Sequence, residues 1–412
     1  MKLLIDVRPL RASTAFRRLW IGNTASTLGG QLTVVAVLTQ VWQLTENPVA
    51  VGTIGIVHAV PMVVFGLLGG TLADTVDRRR LVLFTTVGQI VTTALLAAQA
   101  LLGFASLAVV LGLVGLQSTF SGLGAPARKT FVVRLLPEHL VRAGIALNHI
   151  SFQAAMLAGP AIAGVITAQW GVATCYVIDA FTFAIGLYGV FMLPSMRPEG
   201  EGTRPGPRAI GEGWRFLVGQ PVVRGALVTD VVATVFAMPI ALFPAIADER
   251  FCRPEALGLF MSAIAVGGIA AGAASGLVTR ARRPGAVMLA AAGVWGAALA
   301  GFGVARPLWI GVACLVIAGA ADTISVISRG AIVQIATPDA YRGRVGAVEH
   351  IIGVSGPDIG NFRAGLFAGG SSPAFALVSG GALCVAGIAY TATRNRALRR
   401  FSTPVEEAAQ RA

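Results

Sequence analysis

Acids, histidines and an arginine stand where apolar residues would be expected: Asp179, Asp230, Asp322, Glu349, Asp358 and Arg363, with His58, His149 and His350, all fall inside long apolar runs. An ionisable side chain held in hydrocarbon is costly and is by default a functional candidate. The chemistry open to this set is proton uptake and release, since a carboxylate beside an imidazole titrates in the physiological range. Asp322, in AGAADTISVIS, lies well inside, about 15 residues into its run, and Asp230 lies roughly two turns into its own. Counting in from the run ends puts Asp358 and His58 near the middle. Asp358 and Arg363 are five residues apart, about 140° around a helix, and would not pair directly. Each acid also has a static reading: Asp322 can be fixed by a neighbouring Ser or by Arg329, Asp230 can cap polar groups, and Asp358 can make an inter-helix bond. Asp179, near the end of its run, reads as structural.

Enzymatic chemistry fits poorly. A catalytic centre gathers acid, base, nucleophile or metal ligands in one place, and these charges are dispersed singly. Cys175, Cys252, Cys314 and Cys384 stand alone with no CxxC spacing, so neither a metal site nor a disulfide framework is expected. No GxxxxGK[ST] loop occurs, which argues against direct ATP hydrolysis. No cofactor and no metal are expected.

The elements that must position these residues follow from hydropathy. Of 412 residues, 55% are hydrophobic and 12% charged, and the mean hydropathy is +0.75. A soluble surface of that composition would expose large apolar patches. The lipid bilayer is therefore the expected partner. The net charge of +13 would suggest nucleic acid only if Lys and Arg clustered on a soluble face, and here they sit between apolar runs. The N-terminal MKLLIDVRPLRASTAFRR lacks an apolar core followed by a cleavage site, so no removable signal peptide is read.

A helix crossing about 30 Å of hydrocarbon needs roughly 20 apolar residues. Twelve runs qualify, near 19–43, 48–73, 81–103, 105–126, 143–168, 172–194, 225–247, 256–279, 285–304, 307–328, 344–369 and 372–393. Between them, 28 Lys and Arg fall on the side that holds both termini and 3 on the other. The positive-inside rule then predicts cytoplasmic termini in a cell membrane.

The chain also repeats itself. LPEHLVRAGIALNHISFQAAMLAGPAIAGVITA from Leu136 and TPDAYRGRVGAVEHIIGVSGPDIGNFRAGLFAG from Thr337 align at an offset of 201, which places Arg128 on Arg329, His149 on His350, Gly159 on Gly360 and Gly164 on Gly365. The Gly-, Pro- and charge-rich MRPEGEGTRPGPRAIGEGW reads as a linker. The expected organisation is an N-terminal six-helix bundle over 1–194, a cytoplasmic linker over 195–224, a second bundle over 225–393 and a tail over 394–412. The fold class is thus an all-α membrane protein of twelve transmembrane helices in two pseudo-symmetric bundles, suited to rocking about a central site.

On these residues the chain resembles the major facilitator superfamily. LLGGTLADTVDRRRLVL matches the family's loop between spans 2 and 3 at Gly70, Leu72, Ala73, Asp74, Asp77, Arg78 and Arg79, with Thr75 where an Arg is usual. FRRLWIGNTASTLGG, DVVATVFAMPIALFPAIA and TPDAYRGRVGAVEH are similar to the twelve-span drug:proton antiporter branch that includes siderophore exporters. The resemblance implies that Gly70, Asp74, Asp77, Arg78 and Arg79 form a conformational latch, with Asp74 docking near the N-terminus of span 11, where an anion gains from unpaired N–H groups. Glu349 and His350 could belong to that latch. Gly159, Pro160 and Gly164 resemble the antiporter motif of span 5.

In the family, spans 1, 4, 7 and 10 line the cavity, and spans 2 and 11 face one another. That makes Asp322, Asp358, His58, Asp230 and Glu349 candidates for proton coupling. Cavity candidates are Gln31, Gln40, Gln117, Ser121, Phe236, Met238 and Ser325, a mixed lining that suits small amphipathic molecules. The expected function is proton-coupled efflux of a drug, siderophore or metabolite by alternating access. The rivals are an importer on the same fold and a non-transporting receptor. The expected partners are lipid, protons and a small-molecule substrate; oligomeric state is left open, with a monomer plausible because one chain holds both halves.

Overall fold

A computed structural model describes residues 6–104, 106–197, 207–279 and 281–402. Its described residues are helical with no strand. Every one of the twelve apolar runs forms a helix: α1 Thr14–Thr45, α2 Pro48–Ala73, α3 Arg78–Leu101, α4 Leu107–Leu135, α5 Glu138–Trp170, α6 Val172–Phe191, α7 Pro221–Ala237, α8 Ala256–Ala273, α9 Pro284–Val304, α10 Leu308–Ala336, α11 Asp339–Gly369 and α12 Pro373–Arg394. Among the described residues, ten helical segments are long and apolar enough to cross a membrane, with α7 counted on to Arg250. α1 and α11 are not among those ten, yet at 32 and 31 residues both exceed the length that crossing requires. Their polarity comes from residues such as Asn23, Gln31 and Gln40 in α1 and Glu349, Asp358 and Arg363 in α11.

Several expected boundaries move; α8, expected to reach 279, ends at Ala273, with Ser275–Thr279 a separate short helix. Apolarity marks where lipid is, whereas a helix continues wherever its backbone bonds can. α4 therefore runs past residue 126 to Leu135, and α10 past 328 to Ala336. Each ends at a proline that begins the next helix: Pro137 at φ −58°, ψ 148° and Pro338 at φ −57°, ψ 149°, the same backbone at the repeat offset. α7 does not run unbroken to 247. It stops at Ala237, Met238 is extended, and short 3-10, α and π turns carry the chain through Ile240–Arg250. Pro239 and Pro244 lack the N–H a continuing helix needs. α11 repairs the break: Ala241 N–H donates to Asn361 Oδ1 at 3.0 Å, and Arg363 Nη1 donates to the Phe236 carbonyl at 2.8 Å. Broken backbone at membrane depth survives only when such partners exist.

The expected linker holds a helix of its own, Pro207–Gly219. Its Leu217 is buried and its Phe216 stacks on Tyr341 with centroids 4.4 Å apart. Residues 198–206 of that linker, and 403–412 of the tail, lie outside the described residues.

The chain packs as two compact units. The first comprises Met1–Glu46, Val57–Arg204 and Pro254–Ser262; the second comprises Asn47–Ile56, Pro205–Arg253 and Ala263–Ala412. In the first, Leu19, Val82, Phe131 and Val190 pack together at one end of the bundle. The start of α8 belongs there, with Gly258 against the Pro160 carbonyl and Ser262 donating to the Leu157 carbonyl at 2.8 Å. In the second unit, Leu217, Val223, Leu227, Val333, Val345 and Val348 form a core, and the start of α2 lies on α11, with Gly52 against Gly365 and Gly55 against the Asp358 backbone.

Candidate functional site

The second unit gathers charges from three helices. Arg329 on α10 pairs through Nη1 with Asp230 of α7, and its Nε lies 3.4 Å from Glu349 Oε1 of α11. The side chains are 11%, 12% and 26% exposed, in that order, so the pairing is largely out of water. Asp322, seven residues earlier on α10, lies within electrostatic reach of both Asp230 and Arg329. Two carboxyls thus share one guanidinium with a third acid, Asp322, nearby on the same helix as Arg329, and the charges do not cancel when all are ionised. Asp230 Oδ2 and Arg329 Nε are buried without a hydrogen-bond partner among the described residues. An under-neutralised carboxyl group can lower its energy by taking a proton, which is the chemistry this cluster offers. Among the described residues no group of His, Cys, Asp and Glu is arranged for a metal ion.

The first unit contains a cavity of about 470 Å³. α1 supplies Asn23, Thr27 and Gln31, α3 Gln89, α4 Ser121 and Arg128, and α5 Asn148, Ser151 and Phe152. Arg128 donates from Nη2 to Thr86 Oγ1 at 2.7 Å and to Gln89 Oε1 at 3.0 Å. Its acceptors are neutral. The repeat offset of 201 carries Arg128 to Arg329, Ser121 to Asp322 and Asn148 to Glu349, so equivalent positions surround one arginine with neutral side chains and the other with acids.

The remaining sequence candidates distribute as follows. In the α2–α3 turn, Asp77 caps α3, accepting from Arg79 N–H at 2.9 Å, from Met196 N–H at 3.2 Å and from the Ser195 hydroxyl. Partial burial pushes the Asp77 carboxyl up, but the Ser195 hydroxyl and the Met196, Arg79 and Arg80 N–H groups outweigh it and hold the group below the usual carboxylate range. Arg79 donates to the Phe191 carbonyl and lies over its ring; Arg78 donates to the Ala73 carbonyl at 3.0 Å and sits 3.8 Å from Asp74. A Cβ added at Gly70 would meet nothing within 4 Å, whereas Gly69 lies against the Leu123 backbone of α4.

Gly159 packs on Gln31 of α1, and Gly164 on Glu255 and Gly258 beside Pro160. Gln31 and Ser121 line the first-unit cavity. Gln40 instead lies in a buried network, donating to Gln99 at 3.0 Å and accepting from the Tyr176 hydroxyl at 2.8 Å. Gln117 donates to Thr93 at 3.0 Å. Phe236 and Met238 sit at the α7 break, the first below Arg363 and the second against Gly360; Ser325 is buried. The His58 carbonyl accepts from Ser118 at 2.6 Å. Buried Asp179 accepts from Thr33 of α1 at 2.6 Å and ties α6 to α1, in keeping with a structural role. Arg128 and Arg329, counted as loop charges in the sequence, lie within α4 and α10, and Asn361 at the α7 break carried no sequence signal beyond its polarity.

Comparison with known proteins adds a family frame. A family model described as "Transmembrane secretion effector" matches residues 6–409. The enterobactin exporter EntS of Citrobacter koseri is 28% identical over 405 residues, covering 97% of this chain and 96% of that protein. EntS of Shigella boydii serotype 18 is 29% identical over 389 residues, with 93% of each chain covered. Among solved structures, the nucleoside transporter NupG superposes with a TM-score of 0.71 at 13% identity, covering 93% of this chain and 98% of that one. A bacterial homologue of the iron transporter ferroportin, in its inward-facing state, gives 0.70 at 14% identity, covering 94% and 99%. At such identities the structural likeness speaks for the fold alone.

Proposed function

Because the chain belongs to the transmembrane secretion effector family, and is a multi-pass transporter of the major facilitator type rather than an enzyme, we propose that it is a proton-coupled exporter of a small amphipathic molecule, working by alternating access. The observation that carries this reading is the cluster of Asp230, Asp322 and Glu349 about Arg329, which holds fewer positive than negative charges in a largely buried setting. Export as the direction, and a siderophore-like cargo, are supported by the curated EntS relatives. With Arg128 and Arg329 left out because they lie within α4 and α10, at the cavity and the ion-pair cluster, the 26 to 3 partition of Lys and Arg still supports cytoplasmic termini in a cell membrane. In the α2–α3 turn Asp77 is committed to the α3 cap, while Asp74, with only a 3.8 Å contact to Arg78 among the described residues, is the acid suited to exchange partners as a latch.

The test is uptake into everted membrane vesicles under an imposed proton gradient, with enterobactin and ethidium as cargo. Accumulation that collapses with the gradient, and that loses its pH dependence in Asp230→Asn and Asp322→Asn, is expected. Full pH dependence in the doubly substituted protein refutes the coupling role, and accumulation only in right-side-out vesicles refutes export.

A further inference from the structure

We infer that the cavity of the first unit is an anion-recognition site, in which Arg128 receives the acidic group of an organic anion whose flat or aromatic body rests on the remaining lining. The inference deepens the exporter reading, on which it rests only in treating that anion as cargo.

Arg128 sits within a membrane-crossing helix, and the acceptors that hold it are a hydroxyl and an amide, Thr86 and Gln89. No carboxylate pairs with it among the described residues. A guanidinium carries five N–H donors in a rigid fork, and it keeps its proton under all ordinary conditions. Thr86 and Gln89 take hydrogen bonds from one nitrogen only, so most of the fork remains to be satisfied. The repeat supplies the contrast. At the equivalent place Arg329 meets Asp230 and Glu349, and the positions that bear Asp322 and Glu349 there bear Ser121 and Asn148 here. One half of the chain neutralises its arginine internally; the other leaves the positive charge facing a cavity of mixed polar and apolar lining.

The cavity has the size and chemistry of a ligand site. Its volume of about 470 Å³ falls within the ~300–1,000 Å³ usual for small-molecule pockets. Gln31 and Asn148 offer amides to hydroxyl or carbonyl groups, while Phe152 and Phe183 offer apolar ring surface. A guanidinium fork receives a planar carboxylate through two parallel hydrogen bonds, at roughly twice the strength of neutral ones. The combination selects an amphipathic acid over a cation or a neutral molecule.

Equilibrium binding of radiolabelled salicylate to the full chain in lipid nanodiscs tests this without requiring transport. Wild-type protein is expected to bind salicylate saturably and to be competed by benzoate but not by salicylamide. Arg128→Gln should weaken binding by about thirtyfold or more, the low end for truncating one partner of a desolvated charge pair, with Arg128→Lys intermediate because it keeps the charge and loses the fork. Gly30 lines the cavity, and a Cβ there meets nothing within 4 Å. Gly30→Phe therefore obstructs the site without crowding the helix backbone, and it should lose binding while eluting and melting like wild type. Unchanged affinity in Arg128→Gln, equal competition by salicylamide, or no saturable wild-type binding below about 10 mM, weak even for a small ligand, overturns the inference. A protein that binds salicylate through Arg128 yet accumulates nothing in vesicles refutes the exporter reading alone. One that exports its cargo equally well with Arg128→Gln, and binds salicylate unchanged, refutes this inference alone.

Discussion

Replacing Arg329 with Gln removes the guanidinium paired with Asp230 and Glu349, and the structure sets the size and pH dependence of the damage. The Arg329 and Asp230 side chains are 11% and 12% exposed, so the stranded carboxylate is left with little water. Breaking a buried pair from one side costs about 3–5 kcal/mol. Asp230 can escape by taking up a proton, which from an ordinary carboxylate value near 3.9 costs about 1.36 kcal/mol per pH unit, or about 4 kcal/mol at pH 7 and about 1.5 kcal/mol at pH 5. The loss in Arg329→Gln should therefore be about 3–4 kcal/mol at pH 7 and should shrink by more than half at pH 5. Adding Asp230→Asn removes the stranded charge, so the double variant should recover most of the neutral-pH loss. Cys175 and Cys384 are buried free thiols, and unfolding can be followed through their reaction with a maleimide fluorophore, calibrated by SDS titration at both pH values. Equal destabilisation at pH 5 and pH 7, or no recovery in the double variant, would refute the placement of uncompensated charge around Arg329.

Three further outcomes follow from local geometry. Asp77→Ala should cost about 1 kcal/mol at neutral pH as the α3 cap is lost; because the folded carboxyl titrates lower than the unfolded one, this contribution is complete above the unfolded value and disappears as pH falls through the folded one, so wild-type and variant melting temperatures should converge in acid. Gly69→Ala should destabilise by about 1–3 kcal/mol, since its Cβ would fall on the Leu123 backbone, whereas Gly70→Ala should be neutral or slightly stabilising in the same melting assay. Gln40→Leu strands Gln99 Oε1 and the Tyr176 hydroxyl in the interior, so it should lower stability by about 1–3 kcal/mol while leaving cargo KM unchanged; a rise in KM would return Gln40 to the cargo site.

The number and order of the helices were legible because hydropathy reports contact with lipid, and lipid contact is what twelve separate runs have in common. Helix ends were less so. α4 and α10 continue beyond their apolar stretches, and this extension carries Arg128 and Arg329 into helices although each reads in sequence as a topology-setting loop charge. The α7 break was written in Pro239 and Pro244, but whether a transmembrane proline kinks or ends a helix depends on partners such as Asn361 and Arg363, which come from a helix more than a hundred residues away. Single acids in apolar runs pointed to Asp230, Asp322 and Glu349 individually. Their assembly about Arg329 depends on how α7, α10 and α11 are rotated about their axes, which a single acid in a long apolar run does not report. Gln40 shows the same limit from the other side: a glutamine on the expected cavity helix points into a buried network.

The repeat carried more than it first yielded. An offset that aligns Arg128 with Arg329 also aligns Ser121 with Asp322 and Asn148 with Glu349, so the two halves keep an arginine and differ in what surrounds it. With all groups ionised, the second-unit cluster carries net negative charge and the first-unit cavity a positive one. A proton lowers the energy of the first arrangement and an organic anion that of the second, and neither ligand suits the other's site. On the proposed reading, a duplicated chain would divide the two tasks of coupled export between equivalent positions, with the acids of one half responding to the proton gradient and the arginine of the other recognising what is to be moved. Substitutions at Ser121 and Asn148 are therefore expected to alter cargo binding, and those at Asp322 and Glu349 to alter pH dependence, although each pair occupies the same place in its own repeat.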